Sequence, residues 1–369
     1  MSSPTFPKDR LLRYLVIGLI LALGIYWSLA AAQTGASDPP YPENQFLVTA
    51  AWLKNHLTDQ GLVVVDVRDD RYFDTKLIPG AVHLPWSSFR YSDTARGIGG
   101  KFVGIAQAQK ILGSAGLSRT DTLVLYDSIE RDGGATATYV FWVLDLLGHR
   151  EKKILESGID DWMTAGGDVT DTAQRLEPML YQAPADEIRM RRWVSGEFIQ
   201  SRLGDPYYQI LDVRSREEFL GEKPNLGLDG QVLKLGHIPT AVNVDYRLNW
   251  IDTDTKDIKS YRDLLDLYRG LDPSRSVITY CHSARRSSFG YFVLRLMGFT
   301  DVRLYDGSWF EWGHPDFFFP VETRENRPAS QAVPDIAVGG SQSKSVSGKS
   351  QEGQERLEAP KGGYVSCGG

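Results

Sequence analysis

Only two of the 369 residues are cysteine, Cys281 and Cys367. That scarcity excludes a disulfide-framed scaffold. Neither thiol has another Cys or a His at zinc-ligand spacing, and His282 sits too close to Cys281 to complete a site, so no metal is predicted. The chain also lacks a basic excess. Its net charge of −6 speaks against general nucleic-acid binding. What remains is globular: 42% hydrophobic and 24% charged residues, with length enough for two domains.

The two ends differ from the middle. Lys8, Arg10 and Arg13 precede residues 14–32, a run of 19 without charge that finishes Ala30-Ala31-Ala32. It exceeds a usual signal core and approaches a bilayer span, so residues 1–32 read as a cleaved signal peptide or a retained anchor. Either reading exports the rest of the chain, to the periplasm or the extracytoplasmic face of the inner membrane. Membrane contact is then expected only through this segment. Residues 324–369 read as a disordered tail, rich in Gly, Ser, Gln, Lys and Glu and carrying Cys367 near its end.

Between the ends the sequence repeats. Val63-Val64-Val65-Asp66-Val67-Arg68 and then Ile78-Pro79-Gly80-Ala81 recur as Gln209-Ile210-Leu211-Asp212-Val213-Arg214 and Ile238-Pro239-Thr240-Ala241. The two Asp residues lie 146 positions apart, which is a domain duplication rather than a solenoid. Each half later carries an apolar strand (Leu123 to Tyr126, Val277 to Tyr280) and an apolar helix closing on Gly148 or Gly298. Short apolar strands alternating with helical patterns predict an α/β fold, each half a mainly parallel sheet flanked by helices. The expected domains span 45–175 and 190–322. Tyr261, Leu264, Leu265 and Tyr268 form a helical stripe. From Asp to Pro the second half is 14 residues longer, and the excess, near residues 221–236, predicts a surface loop.

Cys281 ends a strand, where active groups gather in such sheets. It opens the loop Cys281-His282-Ser283-Ala284-Arg285-Arg286-Ser287, and a helical stretch follows to Met297. A thiol with the ordinary pKa of about 8.5 is mostly protonated at neutral pH. The positive end of a helix and adjacent arginines favour the thiolate. Ser287 and Ser288 are placed to cap that helix. Arg285 and Arg286 suit an anionic substrate, because guanidinium offers a fork of donors. His282 either moves a proton or faces solvent. His237 is expected to support a turn, and Asp212 with Arg214 to hold the strand-to-helix turn. Asp127 stands in the first half where Cys281 stands in the second, so the first loop has no thiol.

In these residues the sequence resembles the rhodanese family of sulfurtransferases, over roughly residues 45 to 322. The Cys281 loop matches Cys-x-Ser-Gly-x-Arg-Ser with Ala284 in place of Gly. Val302 to Trp312 matches the C-terminal signature, and Ile78-Pro79-Gly80-Ala81 the N-terminal one, with Leu77 where His is usual. The resemblance implies tandem domains, the first inactive and the second catalytic. It implies that Cys281 takes sulfur from a donor such as thiosulfate, holds it as a persulfide, and passes it to cyanide or a thiol, with no cofactor. Residues 282–287 would bind the donor, and their basic side chains favour thiosulfate over 3-mercaptopyruvate. Glu218 stands where some relatives carry a basic residue, which puts more of the binding on the loop.

Two rival readings follow from the same thiol. Phosphatases of this fold need Cys-x5-Arg around a phosphate, but Cys281-x4-Arg286 is one residue shorter. A sulfur carrier or redox protein would instead use Cys281 and Cys367 together. As a coil the tail reaches roughly 35 Å, enough to bring Cys367 to Cys281 as a resolving thiol. Alternatively the tail end, Gly362 to Gly369, is a recognition signal for an unknown partner or a processing signal.

Overall fold

The computed structural model describes residues 38–69, 71–130 and 133–323. The N-terminal apolar run, the tail and Cys367 lie outside them. No helix among the described residues is long and apolar enough to cross a membrane.

The first domain begins with β1 (Leu47–Val48), α1 (Ala50–His56), β2 (Leu62–Asp66), β3 (Val82–His83), β4 (Arg90–Asp93) and β5 (Ile98–Phe102). It continues through α2 (Ile105–Ser114), β6 (Thr122–Tyr126), α3 (Ala137–Leu146), β7 (Lys152–Leu155) and α4 (Gly158–Thr164). The second contains β8 (Trp193–Val194), α5 (Gly196–Gln200), β9 (Tyr208–Asp212), α6 (Arg216–Leu220), β10 (Val242–Asn243) and α7 (Tyr261–Leu267). It ends with β11 (Ser276–Tyr280), α8 (Arg285–Leu296), β12 (Val302–Tyr305) and α9 (Ser308–Trp312).

The strands order as β1-β7-β6-β2-β3 and β8-β12-β11-β9-β10, all parallel. These are the same topology twice, so the duplication seen in sequence is a duplication of fold. Parallel strands covered on both faces must be apolar throughout, which is why β6 and β11 read as unbroken runs rather than alternations. The first domain adds an antiparallel hairpin, β4–β5, with an irregularity between Tyr91 and Asp93.

Local chemistry sets the helix ends. Thr49 and Ser195 accept the Trp52 and Phe198 amides, and Ser215 forms a reciprocal capping box with Glu218. The central helices α3 and α8 end on Gly148 (φ 69°) and Gly298 (φ 88°). There the following amides, His149 and Phe299, return to Leu144 and Leu294 carbonyls at 2.9 and 3.0 Å. Only glycine enters that left-handed turn without cost.

Every residue of α3 is buried. A helix apolar all round belongs inside a protein, and α3 lies against α8 of the other domain. Phe141 meets Phe292 edge to face at 5.0 Å. One hydrophobic core therefore runs through both domains. Within it Asp145 accepts from Tyr291 Oη at 2.5 Å and pairs with Lys152, Arg189, Arg192 and Arg295. Burial opposes its charge, but Lys152, Arg192 and Arg295 outweigh burial and hold the carboxyl below the usual range.

Two sequence expectations need revision. The α7 stripe is narrower than its spacing suggests: Leu264 and Tyr268 are buried, while Leu265 is 47% exposed. The 14-residue excess is not a plain surface loop. It folds into a small hairpin bridged at Leu226 and Val232, and it buries Leu233.

Candidate active site

The Asp-x-Arg turns that follow β2 and β9 repeat closely. In the second domain Arg214 bonds Asp212 through Nε and Nη2 and donates to Gly236 O at 2.7 Å. Tyr280 Oη donates to Asp212 Oδ2 at 2.6 Å and accepts the Ile238 amide at 3.1 Å. In the first, Arg68 bonds Asp66, and Tyr126 Oη accepts the Ile78 amide at 3.2 Å. The Asp-x-Arg elements are thus structural in both halves. His237 supports its turn as expected, holding Phe219 O at 2.8 Å and stacking on the Phe219 ring.

Cys281 follows β11 and is 1% exposed. Its carbonyl accepts the Trp309 amide at 2.9 Å, and its own amide donates to Ser308 Oγ at 3.3 Å. The same hydroxyl accepts the Ala284 amide at 3.1 Å and donates to Tyr305 O at 2.8 Å. Ser308 therefore ties both ends of the Cys281–Ala284 turn, a role the sequence reading missed. Its counterpart in the repeat is Gly158; both have positive φ, so the aligned halves carried that signal.

Ala284 has φ 67° and opens α8. Glycine is the usual residue in that conformation, and alanine there costs about 1 kcal/mol. The helix ladder begins with the Ser288 amide on Ala284 O at 2.9 Å, so the amides of Arg285, Arg286 and Ser287 precede it. They lie in the helix turn that follows the Cys281 loop.

The loop's side chains behave differently from expectation. Ser287 and Ser288 do not cap the helix; their hydroxyls donate to Ala284 O at 3.0 Å and Arg285 O at 2.7 Å. A side-chain cap needs an extended residue with an acceptor before the helix, and the left-handed Ala284 supplies neither. Arg286 makes a bidentate pair with Glu218, at 2.8 and 2.9 Å. Burial opposes the Glu218 charge, but Arg286 wins and holds its carboxyl well below the usual range. His282 does not face solvent: it is buried, donates from Nε2 to Leu226 O at 3.1 Å, and stacks on Phe310 at 4.2 Å. Arg285 and Ser283 are buried as well. Arg286 and His282 thus spend donors on protein partners beside Cys281.

Tyr246, which precedes the turn into the 250–258 segment, is buried beside this loop. Burial pushes its phenol up to about 12, with the Arg286 charge pulling the other way.

The first domain shows what such a turn holds. Asp127 Oδ2 accepts from the amides of Thr136 and Ala137 at 3.1 Å and from Thr136 Oγ1 at 2.6 Å. Its Oδ1 accepts the Gly134 amide at 3.1 Å. An acidic side chain of the chain itself fills the turn at the head of α3. Burial pushes that carboxyl up, against these four donors.

The model of the Rhodanese-like domain matches residues 49–165 and again 196–314. The chain belongs to the rhodanese family. A thiosulfate sulfurtransferase of Corynebacterium glutamicum is 30% identical over 299 residues, covering 79% of this chain and 95% of that protein. The sulfur carrier protein TtuD of Thermus thermophilus is 30% identical over 286 residues, covering 74% and 95%. The anaerobic ergothioneine biosynthesis enzyme of Chlorobium limicola superposes with a TM-score of 0.61 at 20% identity, over 77% of this chain and 71% of that chain, which shows a shared fold. With its tandem Rhodanese-like domains the chain is a sulfurtransferase by class.

Proposed function

We propose that this sulfurtransferase takes its sulfur from thiosulfate. The Cys281 thiolate attacks the outer sulfur, the S–S bond of the donor breaks, and sulfite leaves with the electron pair. Cys281 keeps the sulfur as a persulfide anion. Cyanide or a thiol then attacks the outer persulfide sulfur and restores the thiolate. The observation that carries this reading is the Asp127 carboxyl, met by four donors where Cys281 stands in the second domain. The amides at the head of α8 would serve the persulfide in the same way. The name of the Corynebacterium relative supports thiosulfate as the donor.

The partners of Arg286 and His282 favour a second reading, 3-mercaptopyruvate as donor, because the loop is less basic than its sequence. The name TtuD favours a third, a carrier that loads sulfur once and hands it on. Steady-state kinetics with both donors, and cyanide or dithiol acceptors, separates the three. Thiocyanate formation from thiosulfate with many turnovers is expected, and Cys281→Ser abolishes it with the fold intact. Full activity in that variant sinks the assignment of Cys281, and one sulfur per chain without turnover favours the carrier.

The basic and apolar N-terminal segment supports work outside the cytoplasm, which fractionation of cells producing the full chain tests. Cys367 remains a proposed acceptor for the Cys281 persulfide; a Cys367→Ser variant with unchanged turnover to thiol acceptors would remove it from the pathway.

A further inference from the structure

The loop beside Cys281 holds one strained peptide. Ala284 has φ 67°, a conformation that glycine enters freely and alanine does not. Turning over the Ser283–Ala284 peptide unit would reverse ψ of Ser283 and φ of Ala284 together, and return Ala284 to an ordinary negative φ. Both ends of that unit are held. Its N–H donates to Ser308 Oγ at 3.1 Å. Its C=O accepts from Arg90 Nη2, a residue of the first domain.

Arg90 is itself fixed before it meets the loop. It opens β4, is buried, and donates from Nε to Gly100 O at 3.1 Å on the facing strand. Its guanidinium lies over the rings of Trp86 and Tyr139, at 4.5 and 5.3 Å. A Cβ at Gly100 would fall 1.6 Å from Nη2, so glycine there lets the guanidinium pass. The remaining contacts of the hairpin run the same way. The Phe102 amide donates to Asp306 Oδ2 at 2.9 Å, and Lys101 pairs with Asp306 and Glu311.

We propose that Arg90 is a positioning residue for sulfur transfer: it clamps the Ser283–Ala284 peptide by its carbonyl and keeps Ala284 left-handed. The domain without a thiol thereby sets the geometry of the domain that has one. The clamp compensates for alanine where the family pattern has glycine. Its role in catalysis rests on the sulfur-transfer reading, but the loop geometry it sets does not depend on the donor.

The test compares Arg90→Gln and Arg90→Lys in the full chain, each with and without Ala284→Gly. One readout is the rate at which thiosulfate adds sulfur to Cys281, followed by mass. The other is the crystal structure of each variant. Arg90→Gln should load sulfur about tenfold more slowly or worse, since bonds from charged donors are the strong ones. Ala284→Gly in that background should recover about fivefold, because the left-handed penalty is gone. Arg90→Lys keeps the charge without the fork and should fall between. In the crystal, Arg90→Gln should show the Ser283 carbonyl turned and φ of Ala284 negative, and Ala284→Gly should restore the turn. Unchanged rate and φ in Arg90→Gln overturn the proposal. So does a loss that Ala284→Gly leaves in place, which would assign Arg90 to domain packing alone. If Arg90→Gln fails to fold, the Arg90→Lys pair decides the same comparison. A wild-type chain that takes no sulfur from thiosulfate sinks the donor assignment, and φ of residue 284 still decides the clamp.

Discussion

Asp127 and Cys281 occupy one position in two copies of a fold, and that single exchange separates the halves chemically. The carboxyl of Asp127 fills the first turn from within. Removing it by Asp127→Ala leaves three amides and a hydroxyl without their acceptor. Such losses cost roughly 1–3 kcal/mol per group, partly recovered by water. The expected result is an unfolding free energy, measured in urea, lowered by about 2 kcal/mol, with sulfur transfer per folded molecule retained. A comparable loss of transfer would mean that the first turn takes part in the reaction. Residues whose partners are local were legible from sequence: Asp212 with Arg214, and Cys281 at a strand end. Residues whose partners are distant were not. Glu218 lies 68 positions from Arg286, and Arg90 lies 193 from Ser283, so no spacing announced either contact.

At the scale of elements, the strands and central helices were legible because their apolar runs are long and bounded. The insertion was not, because a gap in the repeat says how many residues are extra and nothing about where they pack. They pack on the site. Leu226 O takes the His282 ring N–H, and Lys234 O takes the Trp309 indole at 2.9 Å. His282 is thus a strut between loop and insertion, tautomer set by its carbonyl partner. His282→Phe keeps the ring on Phe310 and removes the bond. The insertion should loosen, with faster amide exchange over residues 225–233, and stability should fall by about 1 kcal/mol. The pH–rate profile of sulfur transfer should keep its shape. Loss of one limb of that profile would instead return His282 to proton transfer.

At the scale of the molecule, the two domains exchange covers. The first domain's hairpin lies on the Cys281 loop, and the second domain's 252–258 segment lies on the strand ends of the first. There Ser157 Oγ donates to Asp257 Oδ1 at 2.5 Å, Lys256 donates to Ile129 O, and the Ile258 amide donates to Glu156 Oε1 at 3.2 Å. None of this was legible in sequence, since it depends on how two repeats face each other. It makes the interface sensitive to pH. Burial pushes Glu156 from 4.5 up to about 7, and the Asp257 and Asp161 charges push the same way. A carboxyl raised on folding stabilises fully below its unfolded pKa, and that contribution is lost as pH rises through about 7. His149, which burial pushes down to about 4, works in the opposite sense at lower pH, so the whole-protein curve mixes both. The difference between wild type and Glu156→Gln isolates the carboxyl. Glu156→Gln should gain stability relative to wild type as pH rises from 5 to 8, by at most about 3 kcal/mol. Thermal unfolding across that range measures it. Parallel curves would mean that Glu156 titrates alike in the folded and unfolded chain, and that the interface carries no protonated carboxyl at neutral pH.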